Sequence, residues 1–329
     1  MKKITILIAL FFTILLSSCN NDNQENAGIT ENDNQVIQNQ ESVEQTKKLE
    51  KPVIYTSYYP IYFLTKSLIG GNAQVINLVP AGGEPHDFEP TLKQVAEMSK
   101  SNMIVLNGLG MESYEEKLLE NVKNVPIVIL SEELKDLIEL EENQSEDIHE
   151  DENEGHNHGN IDPHTWLSPK QYLQLANILI EKLEKNGFTN LDKSILLRLE
   201  TLDKSYTNGL MDCKQNQIVT SHEAFGYLAR DYGFGQHAVF GISPEQEPSA
   251  KDIASVIDLI KKLKLNYIFS EEFVSPKFTD TIKKETGVTV LNLHPLESLS
   301  DIDENNNSDY ISIMEKNLSL LTTGLECKK

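Results

Sequence analysis

Downstream of Pro52 the chain alternates short apolar runs with longer stretches that carry apolar residues every third or fourth position, and it does so twice. Val53-Ile54-Tyr55 precedes Ile61 to Ile69, Val75 to Val79 precedes Leu92 to Met98, Met103 to Leu106 precedes Met111 to Val122, and Ile127 to Leu130 follows. Two helical stretches then occur in succession, Tyr172 to Leu183 and Leu191 to Met211, the second with Ile195, Leu199, Leu202, Tyr206 and Leu210 on one face. The alternation restarts with Ile218-Val219-Thr220, Glu223 to Tyr232, Ser249 to Leu263, Tyr267-Ile268-Phe269, Ser275 to Thr286, Val288 to Leu293 and Asp309 to Leu325. Apolar runs separated by helical periodicity are the pattern of parallel strands covered on both faces. The expected fold is therefore α/β: two similar lobes, each with a mostly parallel four-stranded sheet flanked by helices, joined by one long rigid helix. The N-terminal lobe is placed at 52–190, the linking helix at 191–212 and the C-terminal lobe at 213–329. Open α/β sheets bind ligands just beyond the carboxyl ends of their strands, so a site is expected in the interlobe cleft.

The first eighteen residues read as an export signal. Lys2-Lys3 is a positive start, Ile4 to Leu16 is nearly uninterrupted in its apolar character, and Leu16-Ser17-Ser18-Cys19 closes it. That apolar stretch is short for a membrane span. Its ending resembles the lipobox of bacterial lipoproteins, which implies cleavage before Cys19, acylation of that cysteine, and a protein lipid-anchored at the outer face of the cell membrane, in the Gram-positive manner. Residues 19–51 are rich in Asn, Gln, Glu and Asp and cannot bury enough apolar surface to order themselves, so they read as a tether.

The 329 residues carry a net charge of -22, which disfavours nucleic acid as a partner and suits a cation binder or simply an exported protein. Much of that charge lies between Glu132 and Glu154. With Cys19 acylated, Cys213 and Cys327 remain. An oxidising compartment allows them to pair, and two separate buried thiols is an equal reading.

Four of the eight histidines follow strand-like runs or a rigid turn. His86 follows Val75 to Val79 through Pro80-Ala81-Gly82-Gly83-Glu84-Pro85. His164 lies in Asp162-Pro163-His164-Thr165-Trp166-Leu167-Ser168-Pro169, where two prolines fix φ and delay a helix until Ser168-Pro169. His222 follows Ile218-Val219-Thr220, and His294 follows Val288 to Leu293. Glu297, three residues beyond His294, can bring a carboxylate to the same place. Three neutral imidazoles and one carboxylate make a tetrahedral, borderline-soft set that suits Zn2+, whereas Mn2+ prefers more oxygen. Glu84 and Glu272 compete for the carboxylate position, and His294 is itself a ligand or a supporting residue.

Taken together, Pro80-Ala81-Gly82-Gly83-Glu84-Pro85-His86-Asp87-Phe88-Glu89-Pro90, Asn107-Gly108-Leu109-Gly110-Met111-Glu112, the octet ending at Pro169, Val219-Thr220-Ser221-His222-Glu223-Ala224-Phe225-Gly226-Tyr227 and Ser243-Pro244-Glu245-Gln246-Glu247-Pro248-Ser249 carry a resemblance that runs from Val53 to the C-terminus. The chain resembles the zinc-binding lipoproteins of bacterial ABC importers, the ZnuA/AdcA group of zinc and manganese solute-binding proteins. The resemblance implies that His86, His164 and His222 are metal ligands and that Glu297 is the fourth. It also implies Zn2+ as the transported ligand and an ABC permease with its ATPase as partners. Manganese-selective relatives tend to carry glutamate at the position of His222, so the imidazole there points to zinc. His294 departs from the asparagine common in relatives and stands as the alternative fourth ligand.

The acidic loop at 141–160, with His149, His156 and His158, reads as a weak auxiliary metal site and equally as a solvated loop. Asn107-Gly108-Leu109-Gly110 lacks the third glycine of a dinucleotide loop and reads as a tight strand-to-helix turn. Trp166, the single tryptophan, is expected to pack behind the His164 loop. The chain is expected to be a monomer and a carrier rather than an enzyme. A zinc hydrolase or lyase is the rival class, opposed by the closed ligand set and the absence of an HExxH motif. The lipid anchor also permits a role in cell adhesion, which no residue demands.

Overall fold

In the computed structural model the described residues are 51–140, 161–243, 249–271 and 277–328. The export signal, Cys19, the tether, the acidic loop with His149, His156 and His158, and Glu272 lie outside them. Among the described residues no helix is long and apolar enough to cross a membrane.

The first half contains β1 (Val53–Thr56), α1 (Tyr59–Ile69), β2 (Gln74–Asn77), α2 (Leu92–Met98), β3 (Met103–Leu106), α3 (Glu115–Asn121) and β4 (Ile127–Ile129). All four strands are parallel, in the order β2-β1-β3-β4. The central strand β3 is buried at each of its residues, as a strand covered on both faces must be. Pro60 sits in the first turn of α1, where its missing N–H costs nothing, and Thr91 and Gln94 form a reciprocal capping box on α2. The turn after β3 places Gly108, Leu109 and Gly110 all at positive φ. A Cβ on Gly108 would lie 2.2 Å from Ile129 Cγ2, so the turn can close against β4 only with glycine there. The amide groups of the turn are held by Glu112, whose buried carboxylate accepts the N–H groups of Asn107 and Gly108 at 2.7 and 2.8 Å.

Two helices follow, α4 (Pro169–Lys185) and α5 (Ser194–Gly209). Ser168 caps α4 and Pro169 opens it. The second half contains β5 (Gln217–Thr220), α6 (Gly226–Tyr232), β6 (Gly235–Ala238), α7 (Ala250–Leu263), β7 (Tyr267–Ser270), α8 (Lys277–Thr286), β8 (Thr289–Asn292), α9 (Asp301–Asn305) and α10 (Tyr310–Gly324). The expected four-stranded sheet is present here as two parallel hydrogen-bonded pairs, β5-β6 and β7-β8. β5 runs beside β7, and Val219 and Ile268 share one apolar cluster.

The largest core joins the halves. It contains Ile54 and Leu64 from the first half, Leu175 and Leu179 of α4, Leu199 and Tyr206 of α5, and Met314 and Leu321 of α10. Tyr172 and Tyr310 stack with centroids 4.1 Å apart, Tyr172 Oη donates to Pro60 O, and Tyr206 Oη donates to Met314 O. Buried tyrosines with satisfied hydroxyls combine large apolar contact with fixed direction. A disulfide links Cys213 to Cys327, tying the chain just past α5 to the end of α10.

Candidate metal centre

Each predicted ligand leaves its element at the carboxyl side of a strand or beside a helix start. His86 lies in the loop between β2 and α2, and His164 sits five residues before α4, at the start of the 3-10 turn Thr165–Leu167. His222 comes two residues after β5, and Glu297 five after β8. The structure brings these four together: their donor atoms all lie within 4.8 Å of one another, and all four residues are buried. The three histidines are fully enclosed, at 0% exposure, and Glu297 is at 5%.

Glu297 Oε1 is 3.7 Å from His86 Nε2, 3.6 Å from His164 Nε2 and 3.2 Å from His222 Nε2. A tetrahedron built on bonds of about 2.0–2.1 Å has edges of about 3.3 Å. The three edges that meet at the carboxylate oxygen, 3.2–3.7 Å, are close to this length. Donors of this type and number fit zinc.

Carboxylates brace each histidine from behind. Asp162 Oδ1 accepts the N–H of His164 at 2.9 Å and lies 2.8 Å from its Nδ1. Glu271 Oε1 accepts the N–H of His222 at 3.1 Å, and Oε2 is in contact with its Nδ1. Glu84 Oε1 accepts the N–H of His86 at 3.1 Å. Glu84 is thus a brace, and Asp162 and Glu271 are functional residues that the sequence pattern did not single out. The pattern offered the neighbouring Glu272 instead. Glu271 directly follows the last residue of β7, and that position at a strand end is the signal that could have found it.

His294 does not join the cluster. Its Nδ1 accepts the N–H of Leu296 at 2.8 Å, and its Nε2 lies 3.3 Å from Asp303 Oδ2. Trp166 packs behind the site as expected: its ring is 5.1 Å from that of His164, and Nε1 donates to Pro295 O at 2.9 Å, two residues from Glu297. Asn107 Nδ2 donates to Pro163 O at 3.1 Å, which ties the glycine-rich turn to the His164 loop.

The electrostatics follow from burial and the carboxylates. Burial lowers the basicity of His86 and prevails there. Burial acts the same way on His222, but Glu271 and Glu297 outweigh it and hold the imidazole well above its ordinary range. At His164 burial is likewise overcome, by Asp162 and Glu297, and the ring is raised. Burial pushes Glu297 up, but the charge of His222 and hydrogen bonds from all three histidines bring it well below the usual carboxylate range. The metal-free centre thus sets two raised imidazoles against a lowered carboxylate, and a cation bound there would compete with protons.

Known proteins resemble this chain over most of its length. The family described as "zinc-uptake complex component A periplasmic" matches residues 54–324. The zinc-binding lipoprotein AdcA of Streptococcus pneumoniae is 35% identical over 327 residues, which is 98% of this chain and 60% of that protein, so the chain spans less than two thirds of its length. The high-affinity zinc uptake system protein ZnuA of Bacillus subtilis is 31% identical over 288 residues, 85% of this chain and 90% of that one. Among solved structures, the Zn(II)-bound ZnuA-like domain of S. pneumoniae AdcA superimposes with a TM-score of 0.70 at 36% identity, covering 84% of this chain and 99% of that domain. The chain belongs to the zinc-uptake complex component A family, ZnuA.

Proposed function

We propose that this protein captures one zinc ion in the centre formed by His86, His164, His222 and Glu297 and passes it to the membrane permease of an ABC importer. The observation that carries the reading is the convergence of four buried donor atoms within 4.8 Å, drawn from both halves of the chain. Four protein ligands complete a tetrahedron and leave no position for an activated water, which supports carriage rather than turnover. Donors from both halves also supply a release route: separating the lobes pulls the ligands apart.

The domain layout proposed is an N-terminal lobe at 52–190, a linking helix at 191–212 and a C-terminal lobe at 213–329, behind a signal at 1–18 and a tether from acylated Cys19. Membership of a family whose relatives include named lipoproteins supports attachment at the outer face of the membrane. The permease and its ATPase are the partners such a carrier requires. The loop at 141–160 supplies the weaker, auxiliary histidines His149, His156 and His158.

Elemental analysis of purified protein after loading with equal zinc and manganese tests the reading. About one zinc per chain and little manganese is expected for a three-imidazole site. Equal manganese loading, or zinc retained after His164→Ala, would refute it.

A further inference from the structure

The segment that delivers Glu297 is a tight turn with an unfavourable backbone. Leu296, the residue just before Glu297, has φ at +60°, a region that a side chain with a Cβ rarely occupies, and it is completely buried. His294 holds the turn in that form. Its Nδ1 accepts the Leu296 N–H at 2.8 Å. Its own backbone is pinned from α10, with N–H donating to Asn317 Oδ1 at 3.0 Å and C=O accepting from Asn317 Nδ2 at 2.8 Å. Because Nδ1 accepts, the ring proton belongs on Nε2, which faces Asp303 Oδ2 at 3.3 Å. The carbonyl of Pro295 accepts from Trp166 Nε1, so the same turn is also held from the first half.

We propose that His294 is a positioning residue for Glu297: through Nδ1 it shapes the turn 294–297 and so aims the carboxylate at the three imidazoles. The proposal rests on the metal-centre reading above. It gives His294 no contact with the ion, since its two ring nitrogens serve Leu296 and Asp303.

The turn requires an acceptor at the Nδ1 position and not an imidazole as such. Asparagine places Oδ1 at the same distance from the backbone, so His294→Asn keeps an acceptor for Leu296 N–H and gives up Asp303. Glutamine has its amide carbon at that position and its oxygen and nitrogen one bond farther out, so His294→Gln keeps the reach toward Asp303 and gives up the acceptor. The pair separates turn-shaping from both ligation and simple packing.

The experiment is a chelator-competition titration with zinc on the full folded chain for wild type, His294→Asn, His294→Gln and Glu297→Gln, with thermal melts of each metal-free protein and visible spectra of each cobalt(II) form. His294→Asn is expected to bind zinc close to wild type. His294→Gln is expected to lose on the order of 10- to 100-fold in affinity, the usual cost of removing support behind a ligand, and its cobalt spectrum should move toward that of Glu297→Gln. Wild-type affinity in His294→Gln would overturn the proposal, as would a loss in His294→Asn equal to that in Glu297→Gln. If His294→Gln does not fold, His294→Leu, which also lacks the acceptor, takes its place, with the same loss expected and wild-type affinity overturning the proposal. A wild-type protein that binds no zinc would remove the metal-centre reading and this proposal with it, an outcome distinct from failure of the two His294 variants.

Discussion

Glu271 holds His222 at two points, accepting its backbone N–H at 3.1 Å on one oxygen and meeting Nδ1 with the other. Asp162 also holds His164 at two points, but with the single oxygen Oδ1, which accepts the backbone N–H at 2.9 Å and lies 2.8 Å from Nδ1. In both, Nε2 is left facing Glu297. An imidazole that gives its other nitrogen to a carboxylate is fixed in tautomer and ring direction before the ion arrives, so less ordering remains to be done on binding. Replacing Glu271 with glutamine should lower zinc affinity about 10- to 100-fold while leaving one site per chain. Competition with a chelator of known affinity measures this, and an unchanged affinity would show that the backbone alone orients His222.

Zinc affinity should fall with acidification, starting above the ordinary histidine value of 6.5. The sign follows from the raised imidazoles: with His222 and His164 holding protons to higher pH than free histidine, lowering the pH fills proton sites that the metal must empty. Glu297, held well below the usual carboxylate range, stays ionised through that window and adds nothing to the decline. Titration calorimetry near pH 7 in buffers of different ionisation enthalpy should show release of about one to two protons per zinc. Release of none would contradict the proton-for-metal exchange.

The Cys213–Cys327 bridge closes a loop of 114 residues. Backbone bonds run alongside it, from Gln215 N to Leu325 O at 2.9 Å and from Lys328 N to Asp212 O at 2.9 Å, so the native form should survive its removal. The double variant Cys213→Ser, Cys327→Ser should lose about 4–5 kcal/mol of stability, mostly by freeing the unfolded chain. Denaturant unfolding of the metal-free protein checks the figure, and zinc affinity should be unaltered.

Trp166 is fully buried beside His164, and its indole N–H is committed to Pro295 O, next to the turn that carries Glu297. Ligation of both elements should change the quantum yield or emission maximum of this single tryptophan on zinc addition. His164→Ala should abolish the response and lower affinity by orders of magnitude while the metal-free protein keeps its far-ultraviolet dichroism.

Most strands were legible because they are apolar and buried on both faces; β3, Met103–Leu106, is the plainest case. Strand β6 was missed, since Gly235-Gln236-His237-Ala238 has no apolar run and is half-buried throughout at the end of its pair. The short α9 was missed as well, since five residues cannot show helical periodicity and its capping box at Ser300 and Asp303 does the specifying. The linking stretch was placed from Leu191, whereas α5 begins at Ser194, after Asp192 accepts the Ser194 N–H. At the centre, residue types and positions nominated the histidines but left Glu84, Glu272 and His294 competing with Glu297, and the set His86, His164, His222 and Glu297 was implied by the family resemblance. What the sequence could not give was the assignment of His294, because only the folded turn shows its Nδ1 turned back to Leu296. The bracing carboxylates were hidden for the same reason: one acidic residue among many becomes distinctive only when its contacts are known.

Crystals of the zinc-loaded protein, with anomalous differences collected on both sides of the zinc absorption edge, test the central claim most directly. A single strong peak is predicted at about 2.0–2.1 Å from Nε2 of His86, His164 and His222 and from one oxygen of Glu297. A peak elsewhere on the chain, or none among these four side chains, would contradict it.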